Sequence, residues 1–85
     1  AVVVDESVRA DAVKDAIAQV DRDAIRAVEF HSVFRGGALP EGQKSMAWSV
    51  TIMDDERTLE DGEVRALEER IWSSLRDQVG GTQRS

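Results

Sequence analysis

Apolar and polar residues alternate along this chain with two different periods. In residues 45–53 the period is two, which places Met46, Trp48, Val50 and Ile52 on one side of a predicted strand. Such alternation is typical of a strand whose sheet has one packed face and one exposed face. The pattern therefore predicts a half-buried strand in the middle of the chain.

Two other segments have the period of an α-helix. Residues 12–20 place their apolar side chains on one face, and Asp11 is the predicted N-cap of this helix. Residues 61–78 form the second predicted helix, with apolar positions spaced by three and four. Those positions are Val64, Leu67, Ile71 and Leu75.

Three further segments read as strands. Residues 1–5 and 26–35 are rich in Val and Phe, and residues 82–85 form a short last strand after Gly80 and Gly81 stop the second helix. The order βαββαβ predicts an α+β protein with a ferredoxin-like fold. In this arrangement a four-stranded antiparallel sheet carries both helices on one face, and its other face is open.

The predicted core combines the packed face of the sheet with the apolar faces of the two helices. Its members are Phe30, Phe34, Trp48, Val50, Ile52, Val13, Ile17, Leu67, Ile71 and Leu75.

Length and composition limit what the chain can be. Eighty-five residues make one domain with a thin core, and the absence of cysteine excludes disulfides and thiol chemistry. No apolar run approaches the roughly 18–20 residues that span a bilayer, so we expect a soluble, cytoplasmic protein. Because residues 1–4 start within an apolar strand and lack an initiator Met, we also expect a fragment of a longer polypeptide.

The formal net charge is −6. Nonspecific nucleic-acid binding derives its affinity mainly from Lys and Arg side chains that neutralise phosphates. An acidic chain argues against such binding, so any RNA contact must be local.

The segment from Gly37 through Gly42 to Lys44 and Ser45 differs from a phosphate-binding P-loop by one inserted residue, Gln43. A P-loop needs Gly directly before Lys and opens a helix whose N-terminus faces the phosphate. Here the following residues alternate with period two instead. The segment therefore predicts a hairpin loop between two strands, with no ATP binding.

Residue types that could carry catalysis or bind a metal are scattered. His31 has no recognisable nucleophile and supporting acid near it, and a solvated strand histidine is the better interpretation. The acidic residues 54–56 and 60–69 match no calcium-loop spacing and read as a solvated loop and helix face. We expect no catalytic residue and no metal site in this chain.

Three short motifs carry a family resemblance. They are VFRG at residues 33–36, GQKSMA at 42–47 and RTL at 57–59, which leads into an acidic helix start. In this combination and order the chain resembles, over almost its whole length, the ferredoxin-fold anticodon-binding domain at the C-terminus of bacterial phenylalanyl-tRNA synthetase β subunits. One departure is His31-Ser32, where the family often has Phe-Asp.

The resemblance implies a module of a ligase that attaches phenylalanine to tRNA-Phe and that assembles from two α and two β subunits. It places catalysis, ATP and Mg in the α subunit, so this domain would be non-catalytic, would hold no cofactor and would embrace the anticodon stem-loop.

We expect an RNA-contacting open face with one cation and small side chains, and further phosphate contacts from loop cations. The open-face set is Arg35, Ser45, Ala47, Ser49 and Thr51, and the loop cations are Lys44 and Arg57. The predicted RNA-binding residues are thus Arg35, Lys44, Ser45, Ser49 and Arg57. For Lys44 and Ser45 a purely structural role in closing the loop is the alternative.

Two alternatives to RNA binding remain at this point. A ferredoxin-like module can be a regulatory domain that binds a small ligand at a dimer edge, although no Gly-rich ligand loop lies between the first strand and helix. It can also be an interface module that holds a larger subunit together, and this second role is compatible with RNA binding.

Overall fold

A computed structural model describes residues 1–54, 56 and 58–83 of the chain. Within these residues the predicted order of elements is confirmed. The elements are β1 (Val2–Asp5), α1 (Ala10–Ala18), β2 (Ile25–Arg35), β3 (Gln43–Ile52), α2 (Asp61–Val79) and β4 (Thr82–Gln83).

The four strands form one antiparallel sheet in the order β2-β3-β1-β4. β2 and β3 make a long hairpin, and their joining loop runs directly into a strand, as predicted for residues 37–45. β1 is short and pairs with β3 from Asp5 opposite Gln43 to Val2 opposite Met46. With two helices added, the sheet has the ferredoxin-like α+β arrangement that the sequence predicts.

The core lies between the helices and one face of the sheet. Val4 of β1 and Val13 of α1 are its most deeply buried side chains, and Met46 of β3 belongs to the same buried cluster. Trp48, Val50 and Ile52 of β3 pack against this cluster but are only partly buried. The buried cluster is Val2, Val4, Val13, Ala16, Ile17, Ile25, Met46, Leu67, Ile71 and Leu75.

Two predicted core residues are exposed. Phe30 and Phe34 are 46% and 48% exposed, so their placement in the core is wrong. Both lie on β2, which has a partner strand on one side only within the described residues. At such an edge fewer neighbours cover a side chain, and Phe30 packs edge-to-face on Trp48, with ring centroids 5.2 Å apart.

A β-bulge interrupts β2 at His31. Phe30 lies opposite Trp48 and Ser32 lies opposite Ala47, so His31 is an extra residue with no partner of its own in β3. An inserted residue reverses the alternation of all side chains that follow it. Phe34 therefore faces away from the helices, whereas Phe30 faces the same side as Trp48.

The first helix begins earlier than expected. Its N-cap is Arg9, in extended conformation and with no side-chain capping bond, so the prediction that Asp11 caps the helix is wrong. Asp11 lies in the first turn instead, where a carboxylate is favoured by the helix dipole. The turn before the helix is built by Asp5, whose carboxylate accepts hydrogen bonds from the backbone N–H and the hydroxyl of Ser7.

Candidate nucleic-acid interface

No element of the described chain covers the face of the sheet opposite the helices. Residues that lie opposite each other on neighbouring strands share a face of the sheet. Ser45 lies opposite both Phe34 and Val3, and the strand register then assigns the other residues of this face. We call this surface the open face. It includes Val3, Asp5, Glu29, His31, Ser32, Phe34, Ser45, Ala47, Ser49 and Thr51.

Both predicted serines lie on the open face, as expected, but they differ in accessibility. Ser45 is only 3% exposed because it is enclosed in the sheet interior between Val3 and Phe34. Ser49 is exposed, and its hydroxyl is hydrogen bonded to Nε2 of His31 across the bulge. Of the two, Ser49 is the serine that an RNA could reach.

Arg35 is not on the open face, contrary to expectation. It lies opposite Lys44, which in turn lies opposite the core residue Val4, so both cations point to the helix side of the sheet. The Nε of Arg35 lies 2.8 and 3.0 Å from the two carboxylate oxygens of Glu6. The physical reason is again the bulge, which reverses the alternation of β2 before Arg35 is reached.

Lys44 belongs to β3 rather than to a loop, and it is 8% exposed. Its stem is packed in the sheet, and its charge acts on the nearby carboxylate of Asp5. The pKa of Asp5 is lowered mainly by the hydrogen bonds from the backbone and side chain of Ser7, and Lys44 adds a smaller effect in the same direction. This position favours the structural interpretation of Lys44 over a phosphate contact.

Arg57, the last of the predicted RNA-binding residues, lies outside the described residues. Its contact with RNA stays a prediction.

Sequence reasoning missed the two most conspicuous side chains of the open face. Phe34 presents an exposed aromatic ring there, and His31 is directed onto the same face by the bulge. Among the described residues, Asp5 and Glu29 add carboxylates to this face. Arg26 is the extra residue at a second register shift of β2, and it lines cavities on the helix side. A face with aromatic and hydroxyl groups but no Lys or Arg suits unpaired bases, which stack on rings and form hydrogen bonds at their edges.

The helix side carries the main concavities. A cavity of about 590 Å³ between the α1–β2 loop and α2 is lined by carboxylates that outnumber its two arginines, Arg26 and Arg70, so its net negative charge repels phosphates. Its acidic lining residues are Asp21, Asp23, Asp54, Glu56 and Glu63.

Neither a metal site nor a membrane span emerges from the described residues. Groups of three or more His, Cys, Asp or Glu side chains able to hold a metal ion are absent from residues 1–54, 56 and 58–83. In the same part of the chain, neither helix has the length and apolar character needed to cross a bilayer.

Comparison with known proteins agrees with this geometry. The chain matches the family model of the ferredoxin-fold anticodon binding domain over residues 1–84. It is 42% identical over 84 residues to a phenylalanine–tRNA ligase β subunit of Geobacillus kaustophilus, and 38% identical to those of Moorella thermoacetica and Brucella abortus. The aligned part covers 99% of this chain and 10% of each of these relatives, so the chain spans about a tenth of their length. With its sheet topology, its open face and this match along nearly its entire length, the chain belongs to the ferredoxin-fold anticodon-binding domain family.

Proposed function

We propose that this chain is the tRNA-binding module of a phenylalanine–tRNA ligase β subunit and that its open face contacts the anticodon stem-loop of tRNA-Phe. The family match supports the module, and the exposed ring of Phe34 on the open face is the observation that supports the surface. The domain itself is non-catalytic in this proposal.

The open face would recognise RNA by its bases more than by its phosphates. Phe34 offers a ring on which an unpaired base can stack, an interaction of about 1–3 kcal/mol per base in single-strand-binding proteins. Ser32, Ser49 and Thr51 are exposed and can exchange hydrogen bonds with base edges and ribose hydroxyls. The small side chain of Ala47 leaves space between them for a base to approach the sheet.

Phosphate contacts from Lys or Arg must come from outside the open face. Arg35 is about half exposed at the free edge of the sheet, and its ion pair with Glu6 leaves other guanidinium N–H groups for a phosphate that passes the edge. Arg57 remains a second proposed phosphate contact. Together they would add only a small electrostatic contribution to an acidic module.

At the level of the whole enzyme, the proposal assigns aminoacylation, ATP and Mg to an α subunit, in an assembly of two α and two β subunits in the cytoplasm. This chain would then form a C-terminal part of the β subunit. It would need no cofactor of its own, since its proposed task is to hold and orient the tRNA.

The two exposed phenylalanines of β2 provide a matched test. Phe34 and Phe30 have nearly equal exposure but lie on opposite faces of the sheet. In the assembled ligase, Phe34→Ala is expected to weaken tRNA-Phe binding about tenfold or more, the factor that corresponds to loss of one stacked base. Phe30→Ala is expected to leave binding unchanged. Fluorescence anisotropy with labelled tRNA-Phe measures both.

Phe34→Leu separates stacking from burial, because leucine keeps an apolar side chain but has no ring. It should bind tRNA almost as weakly as Phe34→Ala. Equal affinities of wild type and all three variants, with unchanged circular dichroism, would reject the open face as the RNA surface. An interface module that only holds the subunit together would then be the better assignment.

A further inference from the structure

His31 is the extra residue of the bulge in β2. It lies on the open face together with the next residue, Ser32, although successive residues of a regular strand lie on opposite faces. Bulges re-aim side chains, and this one places His31 and the adjacent Ser32 on the same face. The imidazole therefore contacts the hydroxyl of Ser49, and it lies on the strand that also carries Ser32 and Phe34. This is the position where the sequence departs from the pattern that its family resemblance led us to expect.

The hydrogen bond between His31 and Ser49 is compatible with both charge states of the imidazole. A hydroxyl can donate to a neutral Nε2 or accept from a protonated one. Ser49 can thus hold the ring in place while the proton enters or leaves. With Nε2 engaged by Ser49, Nδ1 is the nitrogen that remains for a ligand.

The charges around His31 are all carboxylates. Glu29 lies two residues before it on β2, Asp5 lies at the far end of the open face on β1, and β3 and β4 contribute no charged side chain to this face within the described residues. Both helices pack on the other side of the sheet. A protonated His31 would therefore place a positive charge on the open face itself, whereas Arg35 can reach a bound RNA only from the edge of the sheet.

We propose that tRNA binding to the open face takes up a proton at His31, so that the imidazolium contacts a phosphate or a base acceptor of the bound RNA. This inference rests on the proposed function of the open face and adds a specificity residue to it. Imidazole changes charge between about pH 5 and 8, and a nearby phosphate favours the charged form. Binding should therefore tighten as the pH falls.

The test measures tRNA-Phe affinity of the assembled ligase at pH 6 and at pH 8. Wild type is expected to gain about fivefold in affinity at pH 6, the factor for one charge pair about 4 Å apart in water. His31→Gln, which is neutral at every pH but can still bond to Ser49, is expected to lose this gain. His31→Arg, which is charged at every pH, should bind at pH 8 as tightly as wild type binds at pH 6.

Calorimetry in buffers of different ionisation enthalpy counts the proton directly. Uptake on tRNA binding should be larger for wild type than for His31→Gln at pH 7, and a structural role of His31 alone would not produce this difference. Equal pH responses and equal proton uptake in the two proteins would overturn the inference. If Phe34→Ala still weakens binding in that case, the open face remains the RNA surface and only the role of His31 is lost. If Phe34→Ala has no effect either, the proposed function fails as well.

Discussion

Asp5 ends β1 and fixes the turn into α1. Its carboxylate accepts two hydrogen bonds from Ser7, and its backbone carbonyl accepts one from the N–H of Val8. Because the two bonds from Ser7 favour the ionised carboxylate, its pKa in the folded protein lies below the ordinary value of 3.8. The ionised side chain of Asp5 thus stabilises the turn that leads into α1.

A pH dependence of stability follows from this shift. Because the pKa of Asp5 is lowered in the folded protein, its ionised carboxylate contributes fully to the free energy of unfolding above pH 3.8. This contribution is lost as the pH falls through the folded pKa. Asp5→Asn keeps an oxygen acceptor for Ser7 but removes the charge. The variant should be less stable than wild type at pH 7, and the difference should shrink below pH 3.8 in urea titrations. A difference that is independent of pH would show that the charge of Asp5 contributes nothing.

Ile71 illustrates the other kind of residue, whose effect depends on packing. It lies in the buried cluster with Leu67 and Leu75, so Ile71→Ala should lower the free energy of unfolding by about 2–5 kcal/mol. Met53→Ala is the control, since Met53 is exposed and a surface change is expected to stay within about 0.5 kcal/mol. Chemical denaturation of both variants measures the contrast, and similar losses would show that Ile71 is not a core residue.

At the scale of elements, α2 has a glycine near each end with opposite requirements. Gly62 lies in the first turn of α2, with open space where a Cβ would be added. Gly80 caps the C-terminus with φ +66°, in a left-handed conformation that favours glycine over residues with a Cβ. The buried face and the Gly80 cap therefore stabilise α2 more than its first turn does.

This contrast gives a paired prediction for α2. Gly62→Ala should raise the free energy of unfolding by up to about 1 kcal/mol, because alanine loses less backbone freedom in a helix. Gly80→Ala should lower it by about 1 kcal/mol, because a Cβ strains the left-handed cap. Thermal unfolding followed by circular dichroism reads out both, and shifts of the same sign in the two variants would contradict this account of α2.

The elements themselves were largely predictable, because periodicity reports which side of a strand or helix is buried. The alternation of β3 and the stripe of α2 through Leu67 and Leu75 were interpreted correctly. The bulge at His31 was not, since an extra residue in one strand becomes visible only when its partner strand is known. From that one omission came the wrong face for Arg35 and the wrong environment for Phe34.

At the scale of the whole molecule, the candidate site was predicted only in part. The sequence indicated an open face and placed Ser49 on it, but it could not reveal that Lys44 is buried and that Arg35 is bound to Glu6. Long-range neighbours decide both facts. Because the chain is acidic and its open face has no Lys or Arg among its described residues, contacts made by this face are expected to add little to the salt dependence of tRNA affinity.

Each phosphate that a protein neutralises adds about 0.7–0.9 to the slope of log affinity against log salt. If the proposed function holds, Phe34→Ala should therefore reduce tRNA affinity of the proposed ligase by a similar factor at every salt concentration, with the slope unchanged. Arg35→Ala or Arg57→Ala should lower the slope by up to about 0.7–0.9 if that residue contacts a phosphate. A slope that changes with Phe34 but with neither arginine would place the phosphate contacts on the open face instead.

The bulge in β2 also affects how copies of the molecule behave towards one another. β2 has unpaired backbone groups along its outer edge within the described chain and carries the exposed side chains of Phe30, Val33 and Phe34. An edge of this kind is a template for strand pairing between molecules and hence for aggregation. The extra residue at His31 interrupts the regular spacing of those groups, which disfavours continuous pairing of two β2 edges. Bulges are one of the devices by which edge strands avoid pairing between molecules, and the irregularity that shapes the open face is placed to act in this way.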